Sequence, residues 1–404
     1  MIVRVRFMKR LFIIALVLVF WATITEARPA ARKKIAPVGK PAATREAREP
    51  QAPYKAYIVV EANTGKVLEG ENINVKRPPA SITKLMIAYI VMERLATGAV
   101  KLTDRITASK DAAKIGGSQV YLKEGETFTL EELIKAMMIH SANDAAYAIS
   151  EHVAGSADEM IRLMNEKAKI MGLVDTEYHS VHGLPPSKGE KEDLTSCSDL
   201  AILARELLKY PKIIEWTGTV MDSFREGKFI LTNTNKLLTK FPGTDGLKTG
   251  YYRESGFNIV ATAKKGELRF IVVVMGSPTG KIRDSVAIEK LKKAFSQYKM
   301  LNVVKKGEVV DKDVFLVDGK YKKMKGVAER NFLYPIPVDK KGTVKKEVFL
   351  PEKVKGEIRE GQKLGEMVIK LDNEVIGKVD IVSPVYVPKA NLFTRFIRRL
   401  GLNI

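Results

Sequence analysis

The chain has 404 residues, 45% of them hydrophobic and 28% charged, and a formal net charge of +21. That length suffices for two domains, and the composition is that of an ordinary globular protein. The charge suits nucleic acid, an anionic membrane surface or an anionic polymer, but no RNP-like aromatic motif, zinc-finger spacing or basic heptad repeat is present, so no nucleic-acid partner is expected.

The first 27 residues read as a secretory signal. Arg4, Arg6, Lys9 and Arg10 form a basic region, Leu11 to Ile24 an apolar run too short for a comfortable span, and Thr25-Glu-Ala27 a cleavage site. A start at Met8 gives a tidier signal, and an uncleaved anchor is the alternative. Both place the rest of the chain outside the cytoplasm. Residues 28 to 52 are rich in Pro, Ala, Lys and Arg and nearly free of large apolar residues. Such a segment buries too little surface to offset its ordering entropy, so a disordered basic linker is predicted. The single cysteine, Cys197, excludes an intrachain disulfide and reads as a small buried residue.

Order is predicted from about Tyr54. Tyr57–Val60 and Lys66–Leu68 flank the hairpin signal Asn63-Thr-Gly65. Pro78 and Pro79 force the next helix to start close to Ser81, and Gly98 ends it after Ala96. It is apolar nearly all round, as a helix in the domain centre would be. The capping box Thr129-Leu-Glu-Glu132 opens a helix over Leu130–His140. Helices are further predicted over Ala145–Val153, Ala157–Met171 and Leu200–Leu208. Two strands follow, Gly256–Ala263 and Leu268–Met275, then an amphipathic helix over Asp284–Tyr298. Strands at both ends with helices between them predict an α+β fold for residues 53 to 301.

From residue 302 to 388, short alternating strands at Val314–Val317, Val348–Leu350, Glu366–Leu371 and Glu374–Ile381 predict a small all-β domain. Residues 389 to 404 form an amphipathic tail. At about 100° per residue, Leu392, Phe393, Phe396, Ile397 and Leu400 share one face, and Arg395, Arg398 and Arg399 the other; only Leu402 is out of place. A helix lying in an anionic membrane interface is expected, with core docking as the alternative.

Three motifs occur in order: Ser81-Ile-Thr-Lys84, Ser141-Ala-Asn143 and Lys248-Thr-Gly250. A lone Ser-x-x-Lys is weak, and Ser296-Gln-Tyr-Lys299 has the same spacing in an amphipathic stretch with nothing catalytic around it. At a helix start, Ser81 meets N–H groups suited to an oxyanion, and Lys84 lies one turn along on the same face. Lys84 is the expected base if burial and a nearby cation lower its pKa, with Lys248 as that cation. Ser141 is placed to relay a proton to a leaving amine, and Asn143 to hydrogen-bond Lys84 or a substrate amide. Lys248-Thr-Gly250 is expected on an edge strand, where a peptide adds as a further strand. Lys248 and Thr249 would hold a carboxylate, Gly250 would admit a substrate backbone, and the Tyr251 N–H would supply a second oxyanion donor.

With these motifs the chain resembles a low-molecular-weight penicillin-binding protein of the D-alanyl-D-alanine carboxypeptidase type. Pro79-Ala-Ser-Ile-Thr-Lys-Leu-Met86, Ser141-Ala-Asn-Asp-Ala-Ala146, His182-Gly-Leu184, Ser198-Asp199-Leu200 and Asp245-Gly-Leu-Lys-Thr-Gly-Tyr251 all carry the likeness, over about residues 53 to 300. The resemblance implies a β-lactamase/transpeptidase-like catalytic domain and an acyl-enzyme on Ser81. It implies peptidoglycan stem peptides ending in D-Ala-D-Ala as substrate, and β-lactams as inhibitors. Where some relatives carry His after the third motif, this chain has Tyr251; at 197 it has Cys where many have a small residue such as Thr. The tail then implies peripheral attachment to the periplasmic face of the cytoplasmic membrane.

No cofactor is expected, since no Gly-rich phosphate loop precedes a helix, and His140, His152, His179 and His182 have no metal-ligand spacing and read as structural. Two rival functions share the motifs. A class A β-lactamase needs a Glu-x-x-Leu-Asn segment, and Glu192-Asp-Leu-Thr195 has the wrong spacing and no Asn. A non-catalytic wall-binding protein would have no need of the intact Ser81, Lys84, Ser141, Asn143 and Lys248.

Overall fold

The computed structural model describes residues 52–339 and 343–399. The signal and the basic linker predicted over residues 1 to 52 therefore lie outside the described residues, save for Ala52. Two strands, β1 (Ala56–Glu61) and β2 (Val67–Glu71), form the predicted hairpin, with Gly65 at φ +75° in its turn. The chain then crosses to a helical layer built around α1 (Lys84–Ala96), α2 (Leu130–Lys135), α3 (Asn143–Ala154), α4 (Ala157–Ile170) and α5 (Cys197–Leu207). It returns as β3 (Thr244–Tyr252), β4 (Gly256–Lys265) and β5 (Leu268–Ser277), followed by α6 (Gly280–Gln297). The five strands form one antiparallel sheet in the order β2-β1-β5-β4-β3.

The sheet is covered on both faces. Ile58, Val60, Val260, Ile271 and Val273 pack against the helical layer, while Tyr57, Val59, Ile259, Val272 and Val274 pack against α6. This is why β1, β4 and β5 are buried along most of their length instead of alternating. β3 is left at the sheet edge, as expected for the third motif. The buried α1, with Leu85, Met86, Ile87 and Ile90 inaccessible to solvent, runs through the centre of the helical layer.

Three predicted boundaries shift for local reasons. The α-helix after Pro79 begins at Lys84, and Ser81 sits in a 3₁₀ turn, Ala80–Thr83. Ala80 holds φ at +52°, which a regular helix does not admit. The helix opened by the Thr129/Glu132 capping box loosens to a π turn over Ala136–His140, closed by Ser141 at φ +68°. The amphipathic helix α6 starts at Gly280, earlier than Asp284, because Thr279 caps it by accepting from Ile282 N–H. A helix over Pro211–Gly218, whose Trp216 and Ile213 are buried, was not legible from the pattern.

Beyond α6, β6 (Tyr298–Val304), β7 (Val309–Leu316), β8 (Lys323–Ala328), β9 (Phe332–Pro337), β10 (Val344–Phe349), β11 (Lys353–Val354), β12 (Lys363–Leu371) and β13 (Glu374–Val382) form an all-β region. Its main sheet runs β10-β12-β13-β8-β7-β11, and β6 pairs with β9. The core between them holds Val304, Phe332, Ile336, Ile369 and Val379. A last short helix, α7 (Leu392–Arg399), occupies the tail; Leu400 and Leu402 lie outside the described residues. No helix among the described residues is long and apolar enough to cross a membrane.

Candidate active site

The three motifs converge where α1, α3 and the edge strand β3 meet. The turn carrying Ser81 is wedged between two glycines. A Cβ on Gly250 would stand 2.3 Å from the Pro79 carbonyl oxygen, and one on Gly183 2.1 Å from that of Ala80. The missing side chain of Gly250 therefore makes room for the Ser81 turn, where the sequence had suggested room for a substrate backbone. Asn258 on β4 completes the brace: its amide donates to the Pro78 carbonyl (3.0 Å), and its oxygen accepts from Gly276 N–H (2.7 Å).

Lys84 is fully buried, and its Nζ has three polar neighbours: Ser81 Oγ at 2.9 Å, Asn143 Oδ1 at 2.6 Å and the His182 carbonyl at 2.8 Å. Asn143 Nδ2 donates to the Gly116 carbonyl at 2.7 Å, which fixes the amide with its oxygen towards Lys84. Burial first, and the Lys248 cation second, push the Lys84 pKa well below its ordinary value. A neutral amine has two N–H bonds and one lone pair. Asn143 Oδ1 and the His182 oxygen can only accept, so in the amine form they would take both protons and leave the lone pair to face the Ser81 hydroxyl.

Lys248 is equally buried and donates to Ser141 Oγ (2.8 Å) and to the Thr249 carbonyl (3.2 Å). Its pKa falls to about 7, through burial first and then the Arg283 guanidinium. Arg283 is itself buried and paired with Asp284 at 2.6 Å. Thr249 Oγ1 donates to Thr234 Oγ1 at 2.7 Å. Ser81, Lys84, Ser141, Asn143 and Lys248 thus form two short hydrogen-bonded chains, Asn143–Lys84–Ser81 and Lys248–Ser141. Tyr251 stands apart: its ring stacks on Phe257 with centroids 3.9 Å apart and is more than half exposed.

Several contributors were not visible in the sequence. The His182 carbonyl is a backbone group and carries no signature of its own. The His182 ring accepts from Leu184 N–H at 3.1 Å, and burial, then Lys84, pushes its pKa down to about 4. Asp193 ties the same loop to the Ser81 turn. It accepts from Thr83 Oγ1 (2.9 Å), Ser180 Oγ (2.8 Å) and the N–H groups of His179 (2.6 Å) and Ser180 (2.9 Å). The decoy motif comes apart: Ser296 Oγ donates to the Lys293 carbonyl, and Lys299 Nζ to that of Val338. Cys197 is buried, and its thiol is pushed up to about 12. No group of His, Cys, Asp or Glu among the described residues is arranged to hold a metal ion.

The sequence profile of D-alanyl-D-alanine carboxypeptidases matches residues 43–279, and that of the C-terminal domain of penicillin-binding protein 5 matches residues 298–389. The chain belongs to the D-alanyl-D-alanine carboxypeptidase family. It is 39% identical to the D-alanyl-D-alanine carboxypeptidase DacF of Bacillus subtilis over 86% of this chain and 89% of that one. Among solved structures it is similar to a peptidoglycan synthesis regulatory factor (PBP3) from Streptococcus pneumoniae, with a TM-score of 0.74, 26% identity and 83% of this chain against 99% of that one. Penicillin-binding protein D2 of Listeria monocytogenes, solved in its ampicillin-bound form, gives a TM-score of 0.54 at 29% identity, over 60% of this chain and 96% of that one. The family membership covers both the site-bearing layer and the all-β region that follows.

Proposed function

We propose that this chain is a serine-type D-Ala-D-Ala carboxypeptidase that removes the terminal D-alanine from peptidoglycan stem pentapeptides. The observation that carries the reading is the pair of acceptors on Lys84, which direct its lone pair at Ser81. Lys84 takes the Ser81 proton as Oγ attacks the carbonyl carbon of the penultimate D-alanine. The N–H groups of Ser81 and Tyr251 stabilise the oxyanion. The proton that Lys84 has taken passes through Ser141 to the leaving amine, the C–N bond breaks, and the last D-alanine departs. Water then attacks the Ser81 ester, releasing the shortened peptide and restoring the hydroxyl. Lys248 and Thr249 hold the substrate carboxylate, Asn143 fixes Lys84, and β3 with Gly250 presents the edge along which the peptide lies. β-Lactams acylate Ser81 by the same attack.

The β-lactamase alternative is disfavoured by Glu192, which accepts the Tyr252 hydroxyl. The non-catalytic alternative gives no reason for burying two lysines beside a serine. We further infer that the protein is exported by its N-terminal signal and held at the periplasmic face of the cytoplasmic membrane by α7. A labelled penicillin tests the chemistry. The full chain should form a covalent adduct, and Ser81→Ala should form none and release no D-alanine while keeping its fold. An adduct on Ser296, or an active Ser81→Ala variant, would overturn the assignment.

A further inference from the structure

The tail helix is fastened to the all-β region. Ala390 N–H donates to the Asp318 carbonyl and Lys320 N–H to the Pro388 carbonyl, both at 2.8 Å, and Gly319 bridges to Lys389. One turn into α7, Arg395 Nε donates to the Asp318 carboxylate at 3.3 Å. That carboxylate is only 6% exposed, so the pair is partly shielded from solvent. Arg395 lies on the polar face of α7. Arg395 is therefore turned to the all-β region, and three apolar side chains outward: Leu392, Phe393 and Phe396 are 81%, 70% and 60% exposed.

Two further side chains flank this seam. Tyr321, in the turn between β7 and β8, is 54% exposed, and Tyr386, just before Pro388, is 53% exposed. The Lys320 ammonium lies 5.9 Å from the Tyr321 ring centroid, and Lys322 follows in the same turn. Aromatic rings with polar tips, beside lysines that extend charged heads from apolar stems, are suited to the headgroup level of a bilayer.

We propose that α7, the turn carrying Tyr321 and the segment carrying Tyr386 form one membrane-binding face, so that the all-β region meets the bilayer together with the tail. The proposal rests on the reading of the tail as a membrane anchor. The occupant is an anionic lipid surface, because the basic turn complements it; a second copy of this chain would bring the same lysines against each other. The Asp318–Arg395 pair sets the orientation of the helix, and the tyrosines add contact area.

The test uses the full chain on vesicles of phosphatidylglycerol and phosphatidylcholine. With brominated lipid, the indole introduced by Tyr321→Trp should be quenched beyond the quenching of the parent chain. Tyr321→Ser combined with Tyr386→Ser should weaken vesicle partition roughly tenfold while leaving penicillin labelling unchanged. A chain ending at Pro388 should lose vesicle binding. If that truncated chain binds as the full chain does, the tail reading falls, and the proposal with it. If truncation abolishes binding but the Tyr321→Trp indole is unquenched and the double variant binds like the parent, the tail alone is the anchor and only the proposal is overturned.

Discussion

The two halves of the molecule treat the same side chain in opposite ways. In the all-β region several lysines stay at the surface beside carboxylates: Lys370 with Glu347 at 2.7 Å, Lys378 with Glu366 at 3.0 Å, Lys323 with Asp313 at 2.6 Å. In the site-bearing layer Lys84 and Lys248 are buried, and no carboxylate among the described residues bonds to either. Their partners are a serine each, an amide oxygen and backbone carbonyls. A surface ion pair leaves a lysine an inert cation and contributes little. A buried lysine without a counter-charge is driven towards the amine, which is the form able to take a proton. The excess of positive charge in the composition says nothing about which lysines are chemical; burial without a carboxylate does.

The largest effect expected from breaking this contrast is at Lys84. Lys84→Ala should lower the acylation rate by about 10²–10⁴-fold for every substrate, penicillins included. Lys248→Ala should act more selectively, weakening carboxylate substrates most. Equal losses on a substrate whose terminal carboxylate is amidated would contradict that division.

The pH dependence follows from the two depressed pKa values. Acylation should rise out of acid as Lys84 loses its proton. It should fall again as Lys248, at about 7 in the free protein, loses the charge that holds the carboxylate. Lys248→Arg should carry that falling limb to higher pH. Stability gives an independent check on the sign. In the folded chain the Lys84 pKa lies well below its unfolded value of about 10.4. Unfolding therefore takes up a proton, so this group favours the fold more as pH rises through the window between its lowered pKa and the unfolded value. Lys84→Met should lose that slope in denaturant titrations; an unchanged slope would place the shift elsewhere.

The smallest effect should come from the other half. Lys378→Ala should change stability by no more than about 0.5 kcal/mol and leave turnover unaltered. A larger loss would mean that the surface pairs carry more of the fold than their exposure suggests.

Much of this was legible in the sequence, for identifiable reasons. The hairpin turn at Gly65 and the Thr129/Glu132 capping box are local hydrogen-bonding devices, and both formed as written. The convergence of Ser81, Ser141 and Lys248 was signalled by three side-chain motifs in order. What escaped was non-local or carried by the backbone. The His182 carbonyl is a group every residue has, and nothing in its letter marks it as the second acceptor on Lys84. Asp193 looked like part of a failed β-lactamase motif, and only the fold brings it to Thr83. The crowding at Gly250 was hidden because it comes from Pro79, far away in sequence. The helix Pro211–Gly218 is short, with too few apolar positions to establish a period.

The central claim is that Lys84 is a neutral amine whose lone pair faces Ser81. It is tested most directly by NMR of the full chain carrying ¹³C-labelled lysine, read at the Cε position near neutral pH. Besides the partly deprotonated Lys248, the account predicts a second lysine signal at the position of a free amine, absent from Lys84→Ala and retained in Lys248→Arg. If the signal lost in Lys84→Ala is instead that of an ammonium, and stays so until the pH nears the ordinary lysine range, Lys84 is not the resting base and the account is wrong.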